Sequence, residues 1–327
     1  MEDAPYVRDV PLTPRLYRHP HGITAVDAEY LYPGHAAAHI VVDQARAAVI
    51  DVGTNNSVPY LLAALAELSV AREAVDALFL THVHLDHAGG AGELLRHLPN
   101  ASVYLHPRGV PHMVDPTRLI AASKQVYGEE AFARHYGQLV PIPRERVHEV
   151  ADGERVRLGA RTFELIHVPG HALHHYALVD PAHASLFSGD TFGISYRALD
   201  NANGAFITPT TPPSQFDPVQ HVASIDRMLA YRPESVYLMH FSRVTGIARL
   251  GESLKMQVAQ LARMARAHAQ DPDPGPLIRA DMLALWLSLA RAHGLTQSDE
   301  EIERILAGDL ALNTQGLLVW LKREQRP

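Results

Sequence analysis

The chain contains no cysteine. That absence removes disulfides, thiolate metal ligands and cysteine nucleophiles together, so any metal site has to be built from imidazole and carboxylate. A basic excess is missing too. Lys and Arg number 29 against 36 Asp and Glu, a formal charge of -7, which withdraws the sequence-independent attraction to phosphate backbones that nucleic-acid binding exploits. No stretch approaches the ~20 apolar residues of a membrane span. The opening MEDAPYVRDVPLTP has acids and prolines where a secretory leader needs a basic start and an apolar run. These absences lead to an expected cytoplasmic protein with no nucleic-acid partner and no membrane. What remains, 47% hydrophobic residues over 327 positions, is enough to bury the core of one large domain, or of one domain with an appendage.

Histidine is abundant, at 21 residues. Isolated ones such as His19, His21, His97, His148, His221, His268 and His293 are expected on the surface or packed in the core. The stretch THVHLDHAGG is different, because His82, His84, Asp86 and His87 crowd four metal-binding or proton-binding groups into six positions. It follows VDALFL, a short apolar run of the kind buried in a sheet. Strand-like alternation carried into the loop would project His82, His84 and Asp86 to one side, with His87 approaching from another. Gly89 and Gly90 would supply backbone angles that other residues resist. Two cations side by side suit this arrangement better than one.

Around that loop, YLYPGHAAAHIVVD and AAVIDVG are expected as neighbouring strands, VPYLLAALAEL and AGELLRHL as helices, and ASVYLH as a further strand. Residues 107–143 break into short helices and are expected as an insertion over one end of the sheet. Strands resume with ERVRLG, RTFELIHV, HYALVD and ASLFSGD, and a helix from Pro218 to Leu229 precedes the strand SVYLMH. Beyond about Gly251 strand signals vanish and helices follow, with 9 Lys and Arg against 10 Asp and Glu, so this is no basic arm. Such an order indicates α/β or α+β architecture. One loop cannot complete two coordination shells, and three later strand ends carry His171, Asp190 and His240.

His82-x-His84-x-Asp86-His87 followed by His171, Asp190 and His240 resembles the metallo-β-lactamase superfamily, and the order of motifs agrees across about 15–245. The resemblance implies an α+β fold, a four-layer αββα sandwich with the site along one edge. Residues 1–250 would form the catalytic domain and 251–327 a helical C-terminal extension that covers part of the site or makes a homodimer contact. By the same resemblance His82, His84 and His171 would hold one metal, and Asp86, His87 and His240 a second. Asp190 would bridge them, and Asp51 would orient a liganding imidazole. The cofactors expected are two divalent ions, zinc first, with iron or manganese also suited to these donors. Hydroxide shared between them would attack a small-molecule substrate, an ester, thioester, lactone or phosphoester, with Asp86 moving its proton. Glyoxalase II-like thioesterases and lactonases are the similar activities. Substrate contacts are expected from His106, Arg108, His112 and Tyr127 in the insertion, and from Tyr196 and Arg197 after Asp190. His174 and His175 receive no ligand role.

Competing expectations use the same fold. Persulfide dioxygenases resemble this motif with a single iron, whereas diiron members usually place Glu where this chain has His84 and add a flavin domain. RNA-processing members bring an RNA-holding arm or extra domain, which balanced charges after 251 do not resemble. A purely structural metal site would ordinarily be closed by thiolates, and none exists here.

Overall fold

A computed structural model describes residues 12–213 and 215–325, apart from the side chain of Tyr127. Most of the opening stretch that argues against a leader lies outside the described residues. The first sheet holds β1 (Leu16–Arg18), β2 (Ile23–Asp27), β3 (Ala37–Asp43), β4 (Arg46–Ile50), β5 (Val75–Phe79), β6 (Ser102–Leu105) and β7 (Val147–Glu149), side by side in chain order. Its first four strands pair antiparallel, and β4 to β7 run parallel. The second sheet holds β8 (Glu154–Leu158), β9 (Arg161–His167), β10 (Tyr176–Asp180), β11 (Ser185–Gly189), β12 (Ser235–Leu238) and β13 (Ser242–Thr245), laid out in reverse chain order. Only β11 and β12 pair parallel there.

Alternation along the strands builds the layers. In β4, Ala48 and Ile50 enter the core between the sheets, while Ala47 and Val49 face the outer core. In β12, Tyr237 points inward between the sheets and Val236 and Leu238 outward. Both faces of such strands are buried, which is why they read as continuous apolar runs. Helices α1 (Val58–Glu67), α2 (Leu85–Ala88) and α3 (Ala91–Leu95) follow the early strands, and α1 and α3 cover the first sheet with Leu61, Leu65 and Leu94. The insertion forms α4 (Val110–Val114), α5 (Thr117–Tyr127) and α6 (Glu129–Tyr136). It is tied to the 28–36 segment by Phe132 and Tyr136, which pack with Ala28, Tyr30 and Ala36.

The second sheet is covered by α7 (Pro218–Ala230) and by the first half of α8 (Ile247–Ala267), through Ile225, Met228, Leu250 and Leu254. Asp217 caps α7 by accepting from the Val219 and Gln220 amides. The second half of α8 turns Val258, Leu261 and Ala265 onto α9 (Pro274–His293) and α10 (Asp299–Glu324). Residue 251, the expected start of the extension, therefore lies inside one continuous helix that serves both bodies of packing. The result is an α+β sandwich of two mixed sheets between helices, with further helices at the carboxyl end. No helix among the described residues is long and apolar enough to cross a membrane.

Several local expectations change. The expected strand beginning at Tyr30 starts only at Ala37, because Leu31 and Gly34 take positive φ (59° and 79°) and make 30–36 a loop. Short strands β1, β2, β7 and β13 go beyond the expected set. Gly89 and Gly90 have ordinary helical φ, -58° and -85°. At Gly90 the requirement is room: a Cβ would lie 2.5 Å from the Thr54 carbonyl oxygen.

Candidate metal centre

The candidate residues all leave strands at one edge of the sandwich. Asp51 follows β4, His82 to His87 follow β5, His171 follows β9, Asp190 follows β11 and His240 follows β12. Two of the sheet neighbours concerned, β4 with β5 and β11 with β12, run parallel, so their ends arrive together. Chain alternation holds for His82 and His84, whose Nε2 and Nδ1 are 2.9 Å apart. It fails at Asp86. Helix α2 begins directly after His84, so Asp86 and His87 lie on successive positions of a helical turn. Asp86 consequently joins His87 and His240, not His82 and His84.

Three groups of donor atoms result, each within 4.8 Å: His82 with His84 and His171, Asp86 with His87 and His240, and His82 with His87 and Asp190. Asp190 faces both sides, with Oδ2 3.6 Å from His171 Nε2 and Oδ1 3.2 Å from His87 Nε2. His240 Nε2 is 3.3 Å from Asp86 Oδ2. Behind the donors, the second nitrogen of four of the rings is held. His87 Nδ1 is 2.9 Å from Asp51, which also accepts from the Thr81 amide and hydroxyl. His82 Nδ1 meets the Thr81 hydroxyl at 3.1 Å, His171 Nδ1 the Thr210 carbonyl at 3.4 Å and His240 Nδ1 the His35 carbonyl at 2.8 Å. Such partners fix ring orientation and leave the other nitrogen free to ligate.

Electrostatics divides the imidazoles. Burial holds His82, His84 and His171 below the usual histidine range, so they present neutral lone pairs. Burial acts the same way on His87 and His240, but it is outweighed by Asp190, Asp51 and Asp86 at His87 and by Asp190 and Asp86 at His240, so both are raised. His87 Nε2 and Asp190 Oδ1, 3.2 Å apart, are buried and not in hydrogen-bond geometry with each other or with any other described residue. Leaving such atoms unpaired costs about 1–3 kcal/mol each, and cations between the donor groups would satisfy both. The donor set, imidazole and carboxylate without thiolate, fits divalent metal.

A cavity of about 670 Å³ opens onto Asp86, Asp190 and His240. Tyr196 and Arg197 line it, and the Arg197 guanidinium is paired with Asp200 at 3.0 Å. His106, Arg108 and His112 do not line it. The His106 ring packs 4.2 Å from His167 and accepts from the Arg108 amide, and the His112 ring lies 6.3 Å from that of His174, centre to centre. The side chain of Tyr127 lies outside the described residues. Polar residues in a helical insertion give a weak signal, since nothing in the sequence says which of them faces the edge.

Other contributors carry no such signal in the sequence. His35 stacks on Tyr196 at 5.4 Å, and burial lowers it to about 3. His175 accepts from the Asp190 amide at 3.3 Å and stacks on His82. From α10 come Arg304 and Asp309. The Tyr196 hydroxyl donates to Asp309 at 3.3 Å, and burial raises this carboxyl to about 7, with Asp190 adding to the effect and His240 opposing it.

The folded chain thus holds the Asp309 proton more tightly than the unfolded chain, so stability falls as pH rises from about 4 to about 7. Asp309→Asn, which has no proton to lose, is expected to melt higher than the parent above pH 7 in metal-stripped protein. The gain should reach at most about 4 kcal/mol and vanish below pH ~4. Melting temperatures across this range check it, and a difference independent of pH would refute it.

The sequence profile of the metallo-beta-lactamase superfamily matches residues 31–240. A metallo-beta-lactamase fold-containing protein, ST1585 of Sulfurisphaera tokodaii, is 30% identical over 225 residues, covering 67% of this chain and 77% of that protein. A hydroxyacylglutathione hydrolase of Aeromonas salmonicida is 27% identical over 217 residues, covering 66% of this chain and 67% of that enzyme. The crystal structure of a metallo-beta-lactamase family protein from Thermus thermophilus superposes with a TM-score of 0.67 at 19% identity, over 93% of this chain and 94% of that one. With the profile spanning most of the sandwich and the fold shared nearly end to end, the chain belongs to the metallo-beta-lactamase superfamily, most of whose members are metal-dependent hydrolases.

Proposed function

We propose that this chain hydrolyses a small ester, thioester, lactone or phosphoester at a centre of two zinc ions. The observation that carries the proposal is the doubled donor set, two triads with Asp190 reaching toward both and two orphaned polar atoms between them. His82, His84 and His171 would hold one ion, Asp86, His87 and His240 the other, and Asp190 would lie between. Two such ions, when bound, supply Lewis acidity toward the scissile group and lower the pKa of water.

The chain's own residues do the rest. Asp51, fixed by Thr81, holds the His87 ring in one orientation. Asp86 has a partly open side chain, 22% exposed, and it faces the cavity. Its carboxylate, held below the usual range by His87 and His240 against the effect of burial, can accept a proton from water and return it to a leaving group. Helix α10 contributes to the cavity wall through Arg304, Ile305, Asp309 and Leu312. The hydroxyacylglutathione hydrolase relative supports ester-class chemistry.

Elemental analysis of purified protein is expected to find two zinc ions per chain. Chelation should abolish hydrolysis across a panel of esters, thioesters, lactones and phosphoesters, and added zinc should restore it. One iron per chain, with oxygen uptake and no hydrolysis, would sink the proposal.

A further inference from the structure

Helix α10 has two unlike faces. Ile302, Leu306, Leu310 and Leu317 are buried against α8 and α9. A second stripe, Glu301, Arg304, Ile305, Gly308, Asp309 and Leu312, recurs every three or four residues and lines the cavity that also meets Asp86, Asp190 and His240. This stripe has one gap. A Cβ built on Gly308 meets no atom within 4 Å, and the residue is in mid-helix, where glycine only weakens the helix. Neither a turn nor a close neighbour asks for glycine there. Eight residues on, Gly316 is the opposite case, with a Cβ position 1.7 Å from the Thr211 carbonyl oxygen.

The exposed gap is flanked by Arg304 and Asp309 on the helix, but apolar groups share the same lining. Tyr196, Ile305 and Leu312 line the cavity around it. At the same cavity Leu31 and Tyr32 are left 51% and 47% exposed, among the most exposed large hydrophobic residues described. A group that binds here recovers apolar contact that the free protein leaves to water. The cavity is also large for a substrate of two or three carbons, lying mid-range for sites that enclose drug-sized ligands.

We propose that Gly308 is the specificity-determining position of this hydrolase, and that the space it leaves receives an aromatic or branched apolar group of the substrate. The assignment rests on the hydrolytic reading of the metal centre. It places selection for bulk on α10, in the cavity that also meets Asp86, Asp190 and His240.

The test uses the full chain, loaded with zinc, as wild type, Gly308→Ala and Gly308→Phe. Three esters are compared: methyl acetate, methyl phenylacetate and benzyl acetate, which put the bulk nowhere, on the acyl side or on the alcohol side. Wild type is expected to favour at least one bulky ester over methyl acetate by tenfold or more in kcat/KM. In Gly308→Phe that ratio should fall at least tenfold, mainly through KM, with metal content unchanged. Gly308→Ala should melt no lower than wild type and lie between the two in ratio. A ratio within twofold of wild type in Gly308→Phe would overturn the assignment.

Binding is measured alongside by titration calorimetry of phenylacetate and phenol against acetate. If wild type cleaves none of these esters, the hydrolytic reading is decided separately by the panel of thioesters, lactones and phosphoesters, and binding alone decides on the space. Aromatic ligands that bind wild type and lose tenfold or more affinity in Gly308→Phe support it, and aromatic ligands that bind both proteins equally, or neither, overturn it.

Discussion

Asp190→Ala is expected to lower turnover about 1,000-fold or more and to reduce bound metal from two ions to at most one per chain. Among the described residues Asp190 is the carboxylate with oxygens toward both donor triads, 3.6 Å from His171 on one side and 3.2 Å and 3.8 Å from His87 and His240 on the other. Its charge is also the leading influence that keeps His87 and His240 raised against burial. Alanine removes the shared donor and leaves buried imidazoles without that counter-charge. Metal analysis and steady-state kinetics on the same preparation check this. Two tightly held ions with near-parental turnover would show that Asp190 does not bridge.

Gly316→Ala is expected to cost about 3 kcal/mol or more, lowering the melting temperature by roughly 4 °C or more. The added carbon would fall 1.7 Å from the Thr211 oxygen, a contact that only movement of α10 can relieve. That movement would break the anchor beside it. Asn313 is fully buried, accepts from the Thr211 amide at 2.6 Å and donates to the Pro209 carbonyl at 3.0 Å. Turnover should fall as well, since the cavity wall is displaced. Gly308→Ala is the matched control, the same change on the same helix where the new carbon meets nothing within 4 Å. Equal melting temperatures for the two variants would refute this account of the docking.

The sandwich is legible because alternating burial in strands such as β4 and β12 leaves apolar runs, and because turns between them are marked by glycine and proline. The seven candidate metal-binding residues are legible for a different reason. Each stands at or just beyond a strand end, where few residue types are both buried and polar. The partition of Asp86 is not derivable from alternation, since α2 starts after His84 with no capping serine, threonine or aspartate to announce it. The α10 wall is hidden more deeply. Its sequence shows an amphipathic helix, and which polar stripe meets a cavity depends on how three helices pack well beyond His240. The 30–36 loop reads as strand because YLYPG is rich in β-forming residues, whereas two positive φ angles bend it over the site.

One peptide unit joins the metal centre to α10. The Thr210 carbonyl faces His171 Nδ1, while the next residue's amide and hydroxyl are taken up by Asn313 of that helix. Because α10 follows every candidate donor in the chain, a product truncated before residue 299 would carry all seven of those side chains yet lack Asn313, which holds the peptide whose carbonyl faces His171.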